Sequence, residues 1–302
     1  MPKTFPVAIA SGNRGLAGSL ILPDNASRET PTPAAVIIAG PGPVPLARRS
    51  RAGEKQWPLI WAEALAEAGI AALCYDQPGS GQSTGHYHDV DRNALHEDAI
   101  AATTTLAAQP ETAPGRLAAI AWEDGCGFAL ELAAAEKVQA LVLLAPPYLT
   151  AEDRFKQEIT ALAARKGLSD RVVQYRVNQW RRQVEEMSAQ VERGELTSAV
   201  ELGQATVTTN LARFLQNVNY DPAAVLPHVH VPVLILHGED DNVIPPAESQ
   251  LLADQLAAPH QRIVYKEAGH FLYTDRRVIN DAIAWLQNLF AAGAGMDYSQ
   301  QR

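Results

Sequence analysis

Six short apolar runs limit the folds open to this 302-residue chain. They are Ala35–Ala39 (AVIIA), Ile70–Tyr75 (IAALCY), Leu117–Trp122 (LAAIAW), Val138–Leu144 (VQALVLL), Val231–His237 (VPVLILH) and Arg262–Tyr265 (RIVY). Runs this short suit strands buried on both faces of a sheet, because a strand with one wet face would alternate apolar and polar residues. Helical patterns lie between most of them, at Trp57–Ala68, Ala94–Leu106, the residues after Glu123, Pro246–Leu256 and Arg277–Phe290. Strand–helix alternation of this kind implies an α/β protein, a mostly parallel sheet with helices on both faces. Ahead of it, Val7–Ala10 and Leu16–Leu22 flank the turn-rich Ser11-Gly12-Asn13-Arg14-Gly15, which reads as an antiparallel hairpin and brings the strand count to eight.

The alternation lapses after Leu144. Ala151–Lys166, Ser169–Gly194 and Leu196–Asn217 read as three successive, more polar helices, and the βα rhythm resumes only at Val231. The expected organisation is a core in two parts, residues 1–147 and 223–292. A helical lid over 148–222 interrupts it, and a flexible tail follows over 293–302. Such a lid would stand over the C-terminal ends of the strands, where ligands bind in open parallel sheets.

Composition narrows the partners. A formal net charge of −9 argues against nucleic acid and against an anionic membrane surface. The N-terminus, MPKTFPVAIASGN, lacks the apolar run of a secretory signal, so a cytoplasmic location is expected, with a small molecule as the partner and a homodimer left open. Cys74 and Cys126 each sit inside an apolar pattern and read as two buried thiols rather than a disulfide. His86, His88, Asp89 and Asp91 have a metal-like spacing, but without further ligands on a neighbouring element they read as a solvated loop. No metal and no cofactor are expected.

Three loops on one edge of the sheet carry the residues that could do chemistry. After Leu117–Trp122 the chain turns at Glu123-Asp124-Gly125 into a helix; the loops after Val231–His237 and Arg262–Tyr265 carry Asp241 and His270. Strand, corner and helix is the layout of a nucleophile elbow, whose usual pattern is G-x-S-x-G; here it reads Ala121-Trp122-Glu123-Asp124-Gly125. In order along the chain, these segments together resemble the α/β-hydrolase family. The resemblance rests on Gly40-Pro41-Gly42-Pro43 after the third strand and Tyr75-Asp76-Gln77-Pro78-Gly79-Ser80-Gly81-Gln82-Ser83 after the fourth. It rests equally on Gly238-Glu239-Asp240-Asp241 with Val243-Ile244-Pro245, and on Ala268-Gly269-His270-Phe271. It implies an α/β-hydrolase fold with an eight-stranded, mostly parallel sheet, and a catalytic row of Glu123, Asp241 and His270.

The departures from that pattern set the expected chemistry. The serine position is held by Glu123, the usual His-Gly is Ala39-Gly40, and the residue that often lends an oxyanion N–H is Pro41, which has none. Pro78 replaces an arginine common after the fourth strand. Acyl-serine hydrolysis is therefore excluded at Glu123 itself. Gly40, Pro41, Gly42, Trp122, Asp124 and Tyr148 are the expected oxyanion or pocket residues, and Asp124 is the alternative elbow residue if the register shifts by one.

Two mechanisms fit a carboxylate–imidazole–carboxylate row. Glu123 attacks an electrophilic carbon and forms an ester that water then hydrolyses, or it acts with His270 as general base and acid. The enzyme is expected to be a hydrolase acting on a small, largely apolar organic substrate. A lyase, cyclase or isomerase using the same row is the alternative, as is an inactive member that binds small molecules.

Overall fold

The structure, a computed structural model, describes residues 1–40, 42, 45–47, 56–195, 197–202 and 205–291. Pro41 and the tail over 293–302, both singled out above, lie outside the described residues. In chain order the strands are β1 (Lys3–Ser11), β2 (Arg14–Leu22), β3 (Thr32–Ile38), β4 (Ala71–Tyr75), β5 (Thr112–Trp122), β6 (Ala140–Leu144), β7 (Thr197–Leu202), β8 (Ala205–Asn210), β9 (Val233–Gly238) and β10 (His260–Tyr265). The helices are α1 (Trp57–Glu67), α2 (Arg92–Ala107), α3 (Gly125–Ala134), α4 (Ala151–Lys166), α5 (Asp170–Glu192), α6 (Leu211–Val218), α7 (Pro222–Val225), α8 (Pro246–Gln255) and α9 (Arg276–Ala291).

By its contacts the chain separates into two compact units: Met1–Gly85 with Glu97–Tyr148 and Ala223–Arg302, and His86–His96 with Leu149–Pro222. The first contains an 8-stranded sheet in the order β1-β2-β4-β3-β5-β6-β9-β10. The β1–β2 and β2–β4 pairs are antiparallel and every later pair is parallel. Crossovers between parallel strands require a connection that passes over the sheet, which accounts for the helices between them. β4, β6 and β9 are buried along their whole length, as the absence of alternation in their sequences requires.

Under one face, Trp61 and Leu65 of α1 and Leu286 of α9 pack with Ile120, Val142 and Leu234 of the strands. Burying each such aliphatic side chain contributes about 1.5–3 kcal/mol relative to leaving it in water. That core is what holds the ends of β5, β9 and β10 in fixed relation.

The second unit has a small core of Ala163, Val173 and Val177, flanked by Phe155 and Ile159. Phe155 stacks on Trp180 at 5.7 Å between ring centroids. α4 begins at Thr150, whose side chain accepts from the Asp153 N–H, and ends at Gly167 with φ of 64°, the left-handed residue that closes many helices. Its segment 86–96 is tied to α6: Asn210 Nδ2 donates to the His88 carbonyl (2.6 Å), and the Arg213 guanidinium donates to the carbonyls of Tyr87 (2.7 Å) and Val90 (3.0 Å).

The third helix expected over Leu196–Asn217 is not formed as such. Thr197–Leu202 and Ala205–Asn210 pair as an antiparallel hairpin separate from the main sheet, and only Leu211–Val218 is helical. The run Ala205-Thr206-Val207-Thr208-Thr209 explains the difference, since β-branched residues lose side-chain freedom in a helix and fit a pleated strand. No helix among the described residues is long and apolar enough to cross a membrane.

Candidate active site

Strands β5, β9 and β10 are parallel members of one sheet, so the loops that leave them open on the same edge. The corner after β5 is the sharpest of the three. Trp122 ends the strand, Glu123 sits at φ of 53°, and α3 starts at Gly125. A non-glycine residue in the left-handed region is uncommon and costs on the order of 1–2 kcal/mol. The surroundings hold it there. The Glu123 N–H donates to the Leu144 carbonyl (3.0 Å), and the Glu123 carbonyl accepts from the Cys126 N–H (2.8 Å). Gly125 permits the approach of α3 to β3, because a Cβ there would lie 2.8 Å from the Ile38 carbonyl oxygen. Asp124, the alternative corner residue, has ordinary right-handed backbone angles and an exposed side chain.

The two other loops are locked to each other at Gly238. A Cβ at that position would lie 2.3 Å from the Ala268 carbonyl oxygen, so only glycine allows the end of β9 to pass so close to the segment after β10. Beside it the Glu239 N–H donates to the Tyr265 carbonyl (2.8 Å) and the Asp240 N–H to the Ala268 carbonyl (2.9 Å). These contacts bring Asp241 and His270 together from positions 29 residues apart in sequence.

His270 stands between the two carboxylates. Its Nδ1 is 2.9 Å from Asp241 Oδ2 and its Nε2 is 3.2 Å from Glu123 Oε2. Asp241 is buried, and its Oδ1 accepts from the N–H groups of Val243 and Ile244, each at 2.9 Å. Burial would push its carboxyl up, but hydrogen bonds from His237, His270 and those two amides outweigh burial and hold it down at about 2.

Glu123 goes the other way. Burial, and after it the charge of neighbouring Asp124, raise its carboxyl above the ordinary range, against the opposing hydrogen bond to His270. The row thus pairs a carboxylate kept ionised with one that binds a proton more readily, which is the arrangement that separates acid and base roles within one site.

Trp122 forms the floor under the imidazole. Its ring lies 5.1 Å from that of His270 between centroids, and its Nε1–H donates to the His270 carbonyl at 3.2 Å. The same ring fills the space where Gly40 would carry a Cβ, at 2.5 Å from Cε3. Gly42 has φ of 102°, a conformation that favours glycine. Phe271 is 61% exposed, with its ring 5.4 Å from that of His270. Tyr273 stacks on Trp57 at 5.1 Å, and burial followed by the charge of Glu123 pushes its phenol up to about 12.

The Tyr148 backbone N–H donates to Glu248 Oε2 at 2.8 Å. Of the metal-like group, Asp91 accepts from the Ala94 N–H at the start of α2 (2.8 Å) and from Gln216 Nε2 (3.1 Å). Among the described residues no group of three or more His, Cys, Asp or Glu side chains is arranged to hold a metal ion. Cys74 and Cys126 are free and buried.

One residue at the site escaped the sequence reading. His237, next to the last residue of β9, is wholly buried beside Asp241, with Nε2 3.3 Å from Asp241 Oδ2 and 2.9 Å from the Ile244 carbonyl oxygen. A histidine at the end of an apolar run, four residues before the acid, was the only available signal.

Comparison with known proteins gives the family. The sequence model of the family described as serine aminopeptidase, S33, matches residues 59–277. An uncharacterised protein of Mycobacterium tuberculosis is 25% identical over 246 residues, which cover 81% of this chain and 69% of that protein. Among solved structures, a hypothetical protein from Pseudomonas aeruginosa superposes with a TM-score of 0.70 at 20% identity, covering 95% of this chain and 94% of the other. Est1E from Butyrivibrio proteoclasticus, solved with ferulic acid bound, superposes with a TM-score of 0.64 at 16% identity, covering 95% and 98%. At such identities the structural likenesses speak for the fold alone.

Proposed function

This chain belongs to the serine aminopeptidase S33 family of α/β-hydrolases, and from that premise we propose that it is a hydrolase working without an acyl-serine. In this reading Glu123 and His270 act together as general base and acid. The observation that carries it is the placement of one imidazole between two carboxylates, with Nδ1 2.9 Å from Asp241 and Nε2 3.2 Å from Glu123.

Nδ1 donates its proton to Asp241, a carboxylate held ionised. A single further proton is then shared between Nε2 and Glu123 Oε2. When that proton is absent, the pair accepts one from water as the water oxygen attacks the substrate carbonyl carbon. The pair then returns the proton to the leaving oxygen as the bond to it breaks. The raised affinity of Glu123 for a proton suits it to this exchange near neutral pH better than an ordinary surface carboxylate. Exposed Phe271 beside His270 and the Trp122 floor favour a small, largely apolar organic substrate.

The test is a panel of small esters and lactones assayed with wild type and Glu123→Gln, in water enriched in heavy oxygen. Wild type is expected to turn over at least one member, and Glu123→Gln to lose on the order of 10²–10⁴ in kcat. Heavy oxygen is expected in the product acid and not in the Glu123 carboxylate. Heavy oxygen recovered in the peptide carrying Glu123 after one turnover would establish a covalent intermediate on Glu123, an anhydride from attack at the carbonyl carbon or an ester from attack at the alkyl carbon, and displace the general-base reading. Panel members that raise the melting temperature without turnover would make the chain a binding protein.

A further inference from the structure

Asp241 needs a fixed orientation if His270 is to present Nε2 to Glu123, and the two amides that bind its Oδ1 fix only one of its oxygens. Oδ2 is free to follow the imidazole it accepts from unless something else holds it. The side chain that reaches it is His237, which is 0% exposed and lies four residues earlier on β9. His237 Nε2 is 2.9 Å from the Ile244 carbonyl oxygen. A carbonyl oxygen only accepts, so Nε2 carries the proton and can share it with Asp241 Oδ2 at 3.3 Å.

The other ring nitrogen, Nδ1, finds no partner among the described residues. An apolar side chain of similar size would avoid the unpaired Nδ1, but it would take the Nε2–H donor away from the buried Ile244 carbonyl and Asp241 Oδ2. The feature that distinguishes histidine here from such a filler is its Nε2–H.

We propose that His237 is a positioning residue for the row: its Nε2–H, shared between the Ile244 carbonyl and Asp241, holds Asp241 Oδ2 where His270 Nδ1 donates to it. The inference rests on the reading of Glu123, His270 and Asp241 as the working row. Among the hydrogen bonds that lower the Asp241 carboxyl against burial, the one from His237 is the largest, ahead of that from His270. Among the described residues, the titratable side chains that continue this chain of contacts are His270 and, beyond it, Glu123. Asp241 itself is never the proton carrier in this scheme; His237 acts on the reaction through it.

The experiment is nitrogen and proton NMR on the full chain labelled at histidine, which reads the site without any substrate. In wild type, His237 is expected as the Nε2–H tautomer; the Nδ1–H tautomer would overturn the proposal whatever the variants do. The His270 Nδ1–H proton is expected far downfield and slow to exchange with solvent. In His237→Phe it should move upfield and exchange at least tenfold faster, and His237→Gln, which places an amide N–H near the same point, should restore it.

An unchanged His270 proton in His237→Phe would reduce His237 to packing. On any substrate found by the ester panel, His237→Phe should lower kcat by up to about 10²-fold with KM unchanged. If the panel yields no turnover, the hydrolase reading fails while the NMR result still decides the role of His237.

Discussion

Replacing Asp241 with asparagine should cost about 2 kcal/mol of folding stability at neutral pH, and that cost should vanish as the pH falls toward 2. The carboxylate receives two backbone N–H groups on Oδ1, at 2.9 Å each, and faces two imidazoles with Oδ2, at 2.9 and 3.3 Å. These donors favour the anion over the neutral acid and, against burial, bring the carboxyl from 3.8 down to about 2. Each pH unit of lowering corresponds to about 1.4 kcal/mol of preferential binding to the charged form, which gives the estimate.

Because the folded-state value is the lower one, the stabilisation is present in full above 3.8 and is lost as pH falls through about 2. Asparagine keeps the shape but carries no charge at any pH. Urea denaturation of both proteins over a series from about pH 7 to about pH 2.5, with the slope against urea compared at each point, measures the gap. A gap that stays level between about pH 4 and about pH 2.5, or that is under about 0.5 kcal/mol at neutral pH, would refute the claim that these four donors stabilise the anion.

Glu123→Gln should do the reverse, gaining stability at pH above the raised range of the carboxyl, because burial disfavours its charged form. That advantage shrinks as the pH falls through the raised value toward the ordinary 4.5, and paired melts at neutral and mildly acid pH would show it. Glu123→Ser should hydrolyse activated esters poorly, since Pro41 has no N–H to offer; one missing oxyanion donor typically costs on the order of 10²–10³ in kcat. Glu123→Ser/Pro41→Gly should do better, and full activity in the single variant would show Pro41 to be irrelevant. Gly238→Ala forces a Cβ to 2.3 Å from the Ala268 carbonyl oxygen. It should destabilise the chain by on the order of 1–3 kcal/mol in a thermal melt and weaken the His270 Nδ1–H signal, because relief of the clash moves the loop that carries His270.

The sequence alone determined most of what depends on local pattern. Apolar runs without alternation, such as Val138–Leu144, cannot be anything but buried, and their separation by helical stretches forces parallel pairing. The same locality made the corner legible, because a strand that must stop and a helix that must start leave only Glu123 and Asp124 to turn the chain, of which Glu123 takes the left-handed angle. Loops on successive parallel strands open on one edge, so Asp241 and His270 could be placed on the same side as Glu123 before any distance was known.

What pattern could not supply was decided by contacts between residues far apart in the chain. Periodicity did not distinguish a helix from the hairpin at Thr197–Asn210, where β-branched composition outweighed the polar, helix-like surroundings. His237 was invisible because a histidine at the end of a strand has no meaning until the chain folds the Asp241–Ile244 turn back onto it. The opposite shifts of Glu123 and Asp241 were beyond the sequence for the same reason. Both are carboxylates beside one imidazole; burial and the neighbouring Asp124 charge raise Glu123, whereas the N–H groups that tertiary packing brings to Asp241 outweigh its burial.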